Sequence, residues 1–388
     1  MLCWGNNGLT FDPASRFPPV SFLQGKPYPG VVNLGSRSRL RPVTDQSDQV
    51  LTRTENGVGL LVLNRPKAIN SLTHSMVNAM HAVLREWEHD DDVRTVLVTG
   101  AGDRGLCAGG DIVAIYHSAL TDGGSEARQF WYDEYVLNQY IARYPKPYVV
   151  VMDGIVMGGG VGVAVHGSTR IVTDTSKIAM PEVGIGFVPD VGGTYYLSRS
   201  PGRLGLHAAL TGAPFTGSDA IAMGFADHYV PHMDLDDFNR TIVTDGVDAA
   251  IDRHAVAPSH SNLVAQRNWV DECYAGETVA DIVAALRGHD AGPANDDANL
   301  IATRSPTSLA VALESVRRAA GLDTLEDILR QEYRVSCGTL RGPDLVEGIR
   351  AQVIDKDRNP KWSPSSLAAV SAADVDAFFA PVENDLSF

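Results

Sequence analysis

The chain has 388 residues and a formal net charge of −15, with 44% apolar and 20% charged residues. This composition is typical of a globular protein that buries a sizeable core, and the acidic balance argues against a nucleic-acid-binding surface. The four cysteines show no C-x-x-C spacing, and the longest apolar run, residues 154–165, is too short to span a bilayer. Neither a metal site, a disulfide scaffold nor a membrane anchor is therefore predicted.

Residues 1–44 differ from the rest of the chain. They are rich in proline, glycine, serine and arginine, and Asp12 is their one acidic residue. They show no apolar period of 2 or 3.6 residues, so this segment is predicted to be a disordered or loosely packed extension. A leader or a mis-assigned start would explain it. A transit peptide is the alternative, although the prolines argue against an amphipathic helix.

From about Val50 the pattern changes to alternating strands and helices. An apolar run at 59–63 predicts a strand, Thr73 caps a helix with one apolar face, and a strand is expected at 93–98. Further strands are expected at 148–152, 170–173 and 177–180, and further helices after 111, at about 126–143 and from 159. This spacing of strands and helices predicts an α/β layered core.

The second half of the chain is predicted to be mainly helical. Short helical pieces follow one another between 234 and 298, and Ser305 with Pro306 forms a capped helix start. Thr324 begins another helix. The expected organisation is an extension at 1–44, a catalytic core at 45–232 and a mainly helical C-terminal region at 233–388.

The segment 153–193 carries the strongest chemical signal. Glycines interrupt its apolar runs, and the carboxylates of Glu182 and Asp190 occur among them. Glycines let a backbone N–H approach a ligand, and two carboxylates serve acid–base or nucleophilic chemistry on a polarised carbonyl. The alternative is a glycine-rich turn with two capping carboxylates. A second glycine-rich segment that ends in an acid, residues 106–111, favours the functional interpretation.

Motifs in a fixed order resemble those of the crotonase (enoyl-CoA hydratase/isomerase) superfamily. They are NRPKAINSL at 64–72, CAGGDI at 107–112, MGGGVG at 157–162 and PE at 181–182. Further motifs resemble the 3-hydroxyisobutyryl-CoA hydrolase branch of that superfamily: PDVGG at 189–193, SPTSL at 305–309, RGPDLVEGIR at 341–350 and IDKDRNPKW at 354–362. The resemblance covers residues 50–364 approximately and leaves the first 44 residues unexplained.

The resemblance implies a crotonase-like spiral of ββα units that binds a coenzyme A thioester. It implies an oxyanion hole in which the backbone N–H groups of Gly110 and Gly159 stabilise negative charge on the thioester oxygen, by roughly 3–4 kcal/mol per donor. It also implies a path for coenzyme A and the acyl group along the chain. The residues of that path are Lys67, Ala68, Ile69, Gly109, Asp111, Ile112 and Gly158.

The positions of the acidic residues resemble those of the hydrolase branch more than those of the hydratases. Hydratases of this family use two glutamates; one of their positions is Gly162 here, which cannot transfer protons, and the other is Glu182. Asp190 stands where hydratases usually have glycine. The resemblance implies that Glu182 is the nucleophile or general base and that Asp190 positions water or the substrate hydroxyl. The sequence does not separate nucleophilic attack from base catalysis.

One position departs from the pattern of the branch. Hydrolases of the branch often have a glutamate six residues after the aspartate of the Gly-Gly-Asp motif, whereas this chain has His117. A histidine can donate to or accept from the substrate's 3-hydroxyl, so His117 is a predicted substrate contact. The alternative is an ordinary helix residue. The acyl preference is therefore open.

The predicted function is hydrolysis of a short-chain 3-hydroxyacyl-CoA thioester, as in valine breakdown. The alternatives are enoyl-CoA hydration or isomerisation, against which Gly162 argues, and non-catalytic CoA binding, against which Glu182 and Asp190 argue. No cofactor is expected beyond the coenzyme A of the substrate, and no nucleic-acid or membrane partner. The resemblance allows a homo-oligomer. The expected location is the cytoplasm, or the mitochondrial matrix for a eukaryotic chain.

Overall fold

The computed structural model describes residues 41–44 and 47–388. Most of the predicted N-terminal extension, residues 1–40, lies outside the described residues. Regular structure begins earlier than the sequence pattern predicted, because two strands pair with each other before Val50 is reached. Residues 41–44, which were assigned to the extension, form an edge strand that pairs antiparallel with the next strand.

Two sheets organise the first half of the chain. The strands of the described residues are β1 Arg41–Thr44, β2 Ser47–Glu55, β3 Val58–Leu63, β4 Thr95–Gly100, β5 Tyr148–Met152, β6 Ile155–Met157, β7 Thr169–Val172, β8 Lys177–Ala179, β9 Phe215–Thr216 and β10 His228–Tyr229. One sheet has the order β1-β2-β3-β4-β5-β7-β10, antiparallel from β1 to β3 and parallel beyond. The other has the order β6-β8-β9.

Side chains of the large sheet alternate between two hydrophobic clusters. In β3, Leu61 and Leu63 belong to the main core, whereas Leu60 belongs to a smaller cluster on the opposite face. In β4, Val96 faces the main core and Leu97 the smaller cluster. Because both faces are covered, these parallel strands read as continuous apolar runs rather than as alternating patterns.

Helices cover both faces of the large sheet and make up most of the second half of the chain. Those of the described residues are α1 His74–Glu88, α2 Ile112–Thr121, α3 Ser125–Ala142, α4 Gly159–Val165, α5 Gly193–Arg199, α6 Leu204–Thr211, α7 Gly217–Ala222, α8 Leu235–Asp245, α9 Val247–His254, α10 Asn262–Cys273, α11 Val279–Gly288, α12 Gly292–Ile301, α13 Pro306–Ala319, α14 Leu325–Thr339, α15 Asp344–Ile349 and α16 Ala372–Ala377. The side chain of Thr73 caps α1, as predicted, and those of Ser305 and Thr324 cap α13 and α14.

The C-terminal helices share one core with the first half of the chain. Helix α14 packs on α3, α13 packs on α5 and α6, and α15 packs on α2. Buried residues of α13 and α14, such as Leu309 and Leu329, belong to the same hydrophobic cluster as Leu61 of β3. The helical region therefore supplies walls for any site formed at the ends of the strands.

Candidate active site

A cavity of about 730 Å³ opens where loops from both sheets meet the C-terminal helices. Its floor is formed by residues 108–111 after β4, by Gly158 and Gly159 after β6, and by Glu182 after β8. Residues of helix α3 and residues between 345 and 353 supply walls of the cavity. A cleft at the ends of parallel strands is a common place for a binding site.

Two backbone amides at the floor of the cavity are free. The N–H groups of Gly110 and Gly159 have no backbone acceptor among the described residues, although their neighbours do: Asp111 N–H donates to the Leu72 carbonyl (2.8 Å) and Gly158 N–H to the Ala179 carbonyl (3.3 Å). A Cβ built on Gly159 would lie 3.2 Å from the Gly110 nitrogen, so the two loops are in close contact. Two unpaired backbone amides in adjoining loops are the kind of donor from which an oxyanion hole is built.

Glu182 begins a 3-10 helix, Glu182–Ile185, and is only 5% exposed. Its Oε2 atom has no hydrogen-bond partner among the described residues. Gly158, at a φ of +49°, passes so close that an added Cβ would lie 2.9 Å from Glu182 Oε1. Burial first, and repulsion from the Asp190 carboxylate second, raises the pKa of Glu182 well above its usual range. The carboxyl group is thus poised for proton transfer beside the free amides.

Asp190 is buried and accepts a hydrogen bond from Tyr135 Oη at 2.6 Å. Tyr135 Oη also lies 2.7 Å from Ser336 Oγ. Because the phenol has one proton and gives it to Asp190, Ser336 is the donor in the second bond. Burial raises the pKa of Asp190 to about 7, whereas the bond from Tyr135 lowers it. The charge state of Asp190 therefore depends on side chains of α3 and α14.

A side chain of α14 holds the loop that follows Asp190 through hydrogen bonds. The buried carboxylate of Glu332 accepts from the backbone N–H of Gly192 (2.6 Å) and of Thr194 (3.0 Å) and from Thr194 Oγ1 (2.5 Å). Val191 has a φ of +53°, which is strained for a β-branched residue, and its carbonyl lies 2.8 Å from His166 Nε2. These contacts hold the chain rigidly on the C-terminal side of Asp190.

A third buried carboxyl group, Glu134 of α3, was not predicted from the sequence. It is 2% exposed, lines the cavity, and its Oε1 has no hydrogen-bond partner among the described residues. A Cβ on Gly159 would lie 2.5 Å from that oxygen. Burial, followed by repulsion from Asp190, raises the pKa of Glu134 well above its usual range. The available signal was its helical spacing from the apolar Phe130 and Trp131, which places an acid on a buried face.

The structure brings some of the predicted path residues to the cavity and leaves others outside it. Those that line it are Ala68, Gly109, Asp111, Ile112 and Gly158. Lys67 and His117 are exposed and lie outside the lining, and Ile69 instead uses its carbonyl to accept from Ala108 N–H at 2.9 Å. The position of His117 does not support the predicted contact with the 3-hydroxyl.

The remaining lining is aromatic, aliphatic and sparingly charged. Trp131 stacks on Phe187 with 5.2 Å between ring centroids. Leu345 and Ile349 of α15 also line the cavity. No cluster of three or more His, Cys, Asp or Glu side chains that could hold a metal ion occurs in the part of the chain that the structure describes. Within that part, no helix is long and apolar enough to cross a membrane.

The chain is similar to known proteins over most of its length. A model of the enoyl-CoA hydratase/isomerase family matches residues 58–379. The chain is 38% identical to 3-hydroxyisobutyryl-CoA hydrolase, mitochondrial, of Danio rerio over 350 residues, which are 87% of this chain and 91% of the relative. It is 36% identical to a probable 3-hydroxyisobutyryl-CoA hydrolase of Arabidopsis thaliana, covering 87% of this chain and 93% of the relative.

Two solved structures are similar over most of their length. A carnitinyl-CoA dehydratase from Mycobacterium thermoresistibile is 68% identical with a TM-score of 0.86, covering 88% of this chain and 99% of the other. An enoyl-CoA hydratase from Rhodobacter sphaeroides is 38% identical with a TM-score of 0.82, covering 88% of this chain and 100% of the other. These structures confirm the predicted α/β fold with a helical C-terminal region.

Proposed function

Because the chain belongs to the enoyl-CoA hydratase/isomerase family, we propose that it hydrolyses 3-hydroxyisobutyryl-CoA to 3-hydroxyisobutyrate and coenzyme A. The proposal is supported by relatives that are 36–38% identical to this chain and are named as 3-hydroxyisobutyryl-CoA hydrolases. The names of the two similar solved structures favour a second candidate, hydration or dehydration of an acyl-CoA. The two reactions need different acids, so the side chains of the site distinguish them.

The observation that carries the proposal is the surroundings of Gly162. A hydratase of this family would need a glutamate at this position, in α4. A Cβ built on Gly162 would lie 2.6 Å from the Cβ of Val191 and 2.9 Å from Nδ2 of Asn138, both inside the buried core. Even one added carbon therefore requires its neighbours to shift, and a longer acid has no space. The second hydratase acid is absent, and Asp190, immediately before Val191, provides a carboxyl group elsewhere.

The proposed reaction uses the cavity floor as follows. The thioester oxygen accepts from Gly110 and Gly159 N–H, and a water molecule attacks the carbonyl carbon. Glu182, acting as its carboxylate, takes one proton from that water as the C–O bond forms, and its raised pKa makes it a stronger base. The tetrahedral intermediate then collapses, the C–S bond breaks, and Glu182 returns the proton to the sulfur of the departing coenzyme A. Direct attack by Glu182, followed by hydrolysis of an acyl-enzyme, is the other route open to the same carboxylate.

The substrate's 3-hydroxyl is assigned to Glu134. A buried carboxyl oxygen without a partner is costly, and a hydroxyl group can satisfy it whether the acid is charged or neutral. Glu134 Oε1 faces the site beside Gly159, so an acyl group held by the Gly159 amide would present its hydroxyl nearby. Glu134 thus takes the role that the sequence analysis gave to His117.

The setting of the reaction follows from its chemistry. It consumes only a thioester and water, so we propose no cofactor beyond the coenzyme A of the substrate. The substrate places the protein in valine breakdown. We assign it to the cytoplasm, or to the mitochondrial matrix of a eukaryote, since the relatives are named mitochondrial. A homo-oligomer remains a prediction.

Product analysis tests the proposal. The purified protein is incubated with 3-hydroxyisobutyryl-CoA and, separately, with crotonyl-CoA. Free thiol and the absorbance of the conjugated double bond are followed together. We expect thiol release from the first substrate and little loss of conjugation in the second. Loss of the conjugated absorbance of crotonyl-CoA without thiol release from the hydroxyacyl ester would favour the hydratase instead.

A further inference from the structure

One cation in the wall of the cavity has no carboxylate partner. The cavity is lined by two arginines, Arg65 and Arg304. Arg65 is neutralised by Asp111, at 3.0 Å between Nη2 and Oδ2. Arg304 forms no ion pair within the part of the chain that the structure describes; its Nε and Nη2 both donate to the Thr211 carbonyl, at 3.0 and 2.6 Å. The guanidinium group is held in place, yet its charge is not balanced.

The third nitrogen of Arg304, Nη1, lies beside Gly184, another residue of the cavity lining. A Cβ built on Gly184 would lie 2.8 Å from Nη1, and Gly184 lines the cavity two residues after Glu182. Nη1 has no hydrogen-bond acceptor among the described residues. Any side chain at 184 would collide with Nη1, whereas glycine leaves this nitrogen uncovered on that side. A half-buried guanidinium with a free donor edge is suited to a carboxylate or a phosphate.

We propose that Arg304 forms an anion subsite for the bound acyl-CoA. This inference rests on the proposed function, because it takes a coenzyme A thioester as the occupant of the cavity. The anion has two sources, a phosphate of coenzyme A or a carboxylate at the far end of the acyl group. If the anion is a phosphate of coenzyme A, Arg304 contributes to the binding of every CoA ester. The second would extend the substrate class to thioesters of dicarboxylic acids.

The test compares Arg304→Met with the wild-type protein on three thioesters. They are 3-hydroxyisobutyryl-CoA, the same acyl group on N-acetylcysteamine, which lacks phosphates, and 3-hydroxy-3-methylglutaryl-CoA, which carries an acyl carboxylate. Arg253→Met is the matched control, since it removes one arginine from the exposed ion pair with Asp245 on α8. Loss of one charge-assisted hydrogen bond is expected to raise KM about tenfold.

The pattern of loss identifies the source of the anion. A higher KM for both CoA esters, with the N-acetylcysteamine ester unchanged, supports the phosphate. Loss confined to the dicarboxylic ester supports the carboxylate. Arg304→Met with wild-type kinetics on all three esters would overturn the proposal. Equal loss on all three, including the ester without an anion, would also overturn it, because it would mean that Arg304 only ties the Thr211 carbonyl.

Calorimetric binding separates this inference from the proposed function. Free coenzyme A and 3-hydroxy-3-methylglutaryl-CoA are titrated into both proteins, where no turnover is needed. Tighter binding of either ligand to the wild-type protein than to Arg304→Met supports the subsite even if 3-hydroxyisobutyryl-CoA releases no thiol. Equal affinities of both proteins for both ligands would reject the subsite even if hydrolysis is observed.

Discussion

At the scale of single residues, the site is a cluster of three buried carboxyl groups beside two free backbone amides. Glu134, Glu182 and Asp190 are each at most 5% exposed. Burial raises the pKa of each, and repulsion from Asp190 raises the pKa of Glu134 and of Glu182 further. The cluster therefore supplies carboxyl groups of raised proton affinity, which suits a general base in thioester hydrolysis.

Replacing Glu182, the proposed base, should abolish proton transfer while substrate binding is kept. For Glu182→Gln we expect kcat to fall by roughly a hundredfold or more, with binding of the CoA ester largely kept, because the amide preserves the shape. Single-turnover thiol release and calorimetric binding check the two parts. Near-normal thiol release by this variant would contradict the assignment.

Asp190 should reveal its charge through the pH dependence of stability. Its pKa is about 7 in the folded protein, against about 4 in an unfolded chain. The folded state holds the proton more tightly, so ionisation costs stability: this cost is absent below about pH 4 and complete above about pH 7. Asp190→Asn should therefore gain up to about 4 kcal/mol relative to wild type at pH 8 and much less at pH 5.

Urea unfolding at the two pH values measures this difference, and thiol release should be lost in the same variant. A stability difference that does not change between pH 5 and pH 8 would mean that Asp190 titrates normally. Retained hydrolysis in folded Asp190→Asn would count against the predicted role of Asp190 in positioning water or the substrate hydroxyl.

The two oxyanion glycines should differ in tolerance. At Gly110 an added methyl would lie 3.2–3.3 Å from the Phe130 ring, which can yield by a few tenths of an ångström. At Gly159 it would lie 2.5 Å from Glu134 Oε1, within the site itself. We expect Gly110→Ala to keep most of its kcat/KM and Gly159→Ala to lose it at least tenfold. Equal activities of the two folded variants would argue against an acyl group at Gly159.

The sequence predicts some residues of the site and misses others. Glu182, Asp190 and the glycines were predicted because they occur inside motifs whose spacing is specific. Glu134 was missed because its helical spacing from apolar residues indicates burial but not a role in the site. That role depends on the approach of Gly159, which is 25 positions later in the chain. His117 fits the sequence spacing of a substrate contact, but its side chain lies on the exposed face of α2.

At the scale of elements, α14 supports the catalytic loop across the interface between the two halves of the chain. Its Ser336 completes the hydrogen-bond chain to Asp190, and its Glu332 holds the start of α5. The helix itself was predictable from its cap at Thr324. Its partners were not, because Ser336 and Tyr135 are separated by 201 positions and only the packing of α14 on α3 brings them together.

Two glutamates of α14 allow a matched test of this support. Glu332→Ala leaves two buried amides and a hydroxyl without an acceptor, so we expect a loss of about 3 kcal/mol or more in the free energy of unfolding. Glu326→Ala removes a pair with the exposed Arg143 and should cost less than about 1 kcal/mol. Denaturant unfolding of both variants measures the two losses. Similar losses of unfolding free energy in the two variants would show that Glu332 does not anchor α5.

At the scale of the whole molecule, the helical C-terminal region is part of the catalytic unit. Leu345 and Ile349 line the cavity together with Gly159 from the first half. Composition and periodicity predicted the two halves and the α/β class. They could not predict that both halves share one hydrophobic core, because that depends on contacts between helices far apart in sequence.

The N-terminal segment is predicted to be dispensable up to the first strand. Removal of residues 1–40 should leave the melting temperature and the rate of thiol release unchanged, since this segment has no periodic apolar positions to bury. A second truncation that also removes Arg41–Thr44 deletes the edge strand β1 and should lower the melting temperature. Thermal unfolding of the two proteins checks both expectations. A large loss in the first truncation would show that residues 1–40 pack on the core.

The most direct test of the central claim is the fate of water oxygen during turnover of 3-hydroxyisobutyryl-CoA. The wild-type protein is incubated with this ester in ¹⁸O-labelled water, and the product is analysed by mass spectrometry. Hydrolysis over many turnovers places the label in the carboxylate of 3-hydroxyisobutyrate and leaves the 3-hydroxyl unlabelled. Label at the 3-hydroxyl, with the thioester bond intact, would mean that water adds across a double bond and would contradict the account.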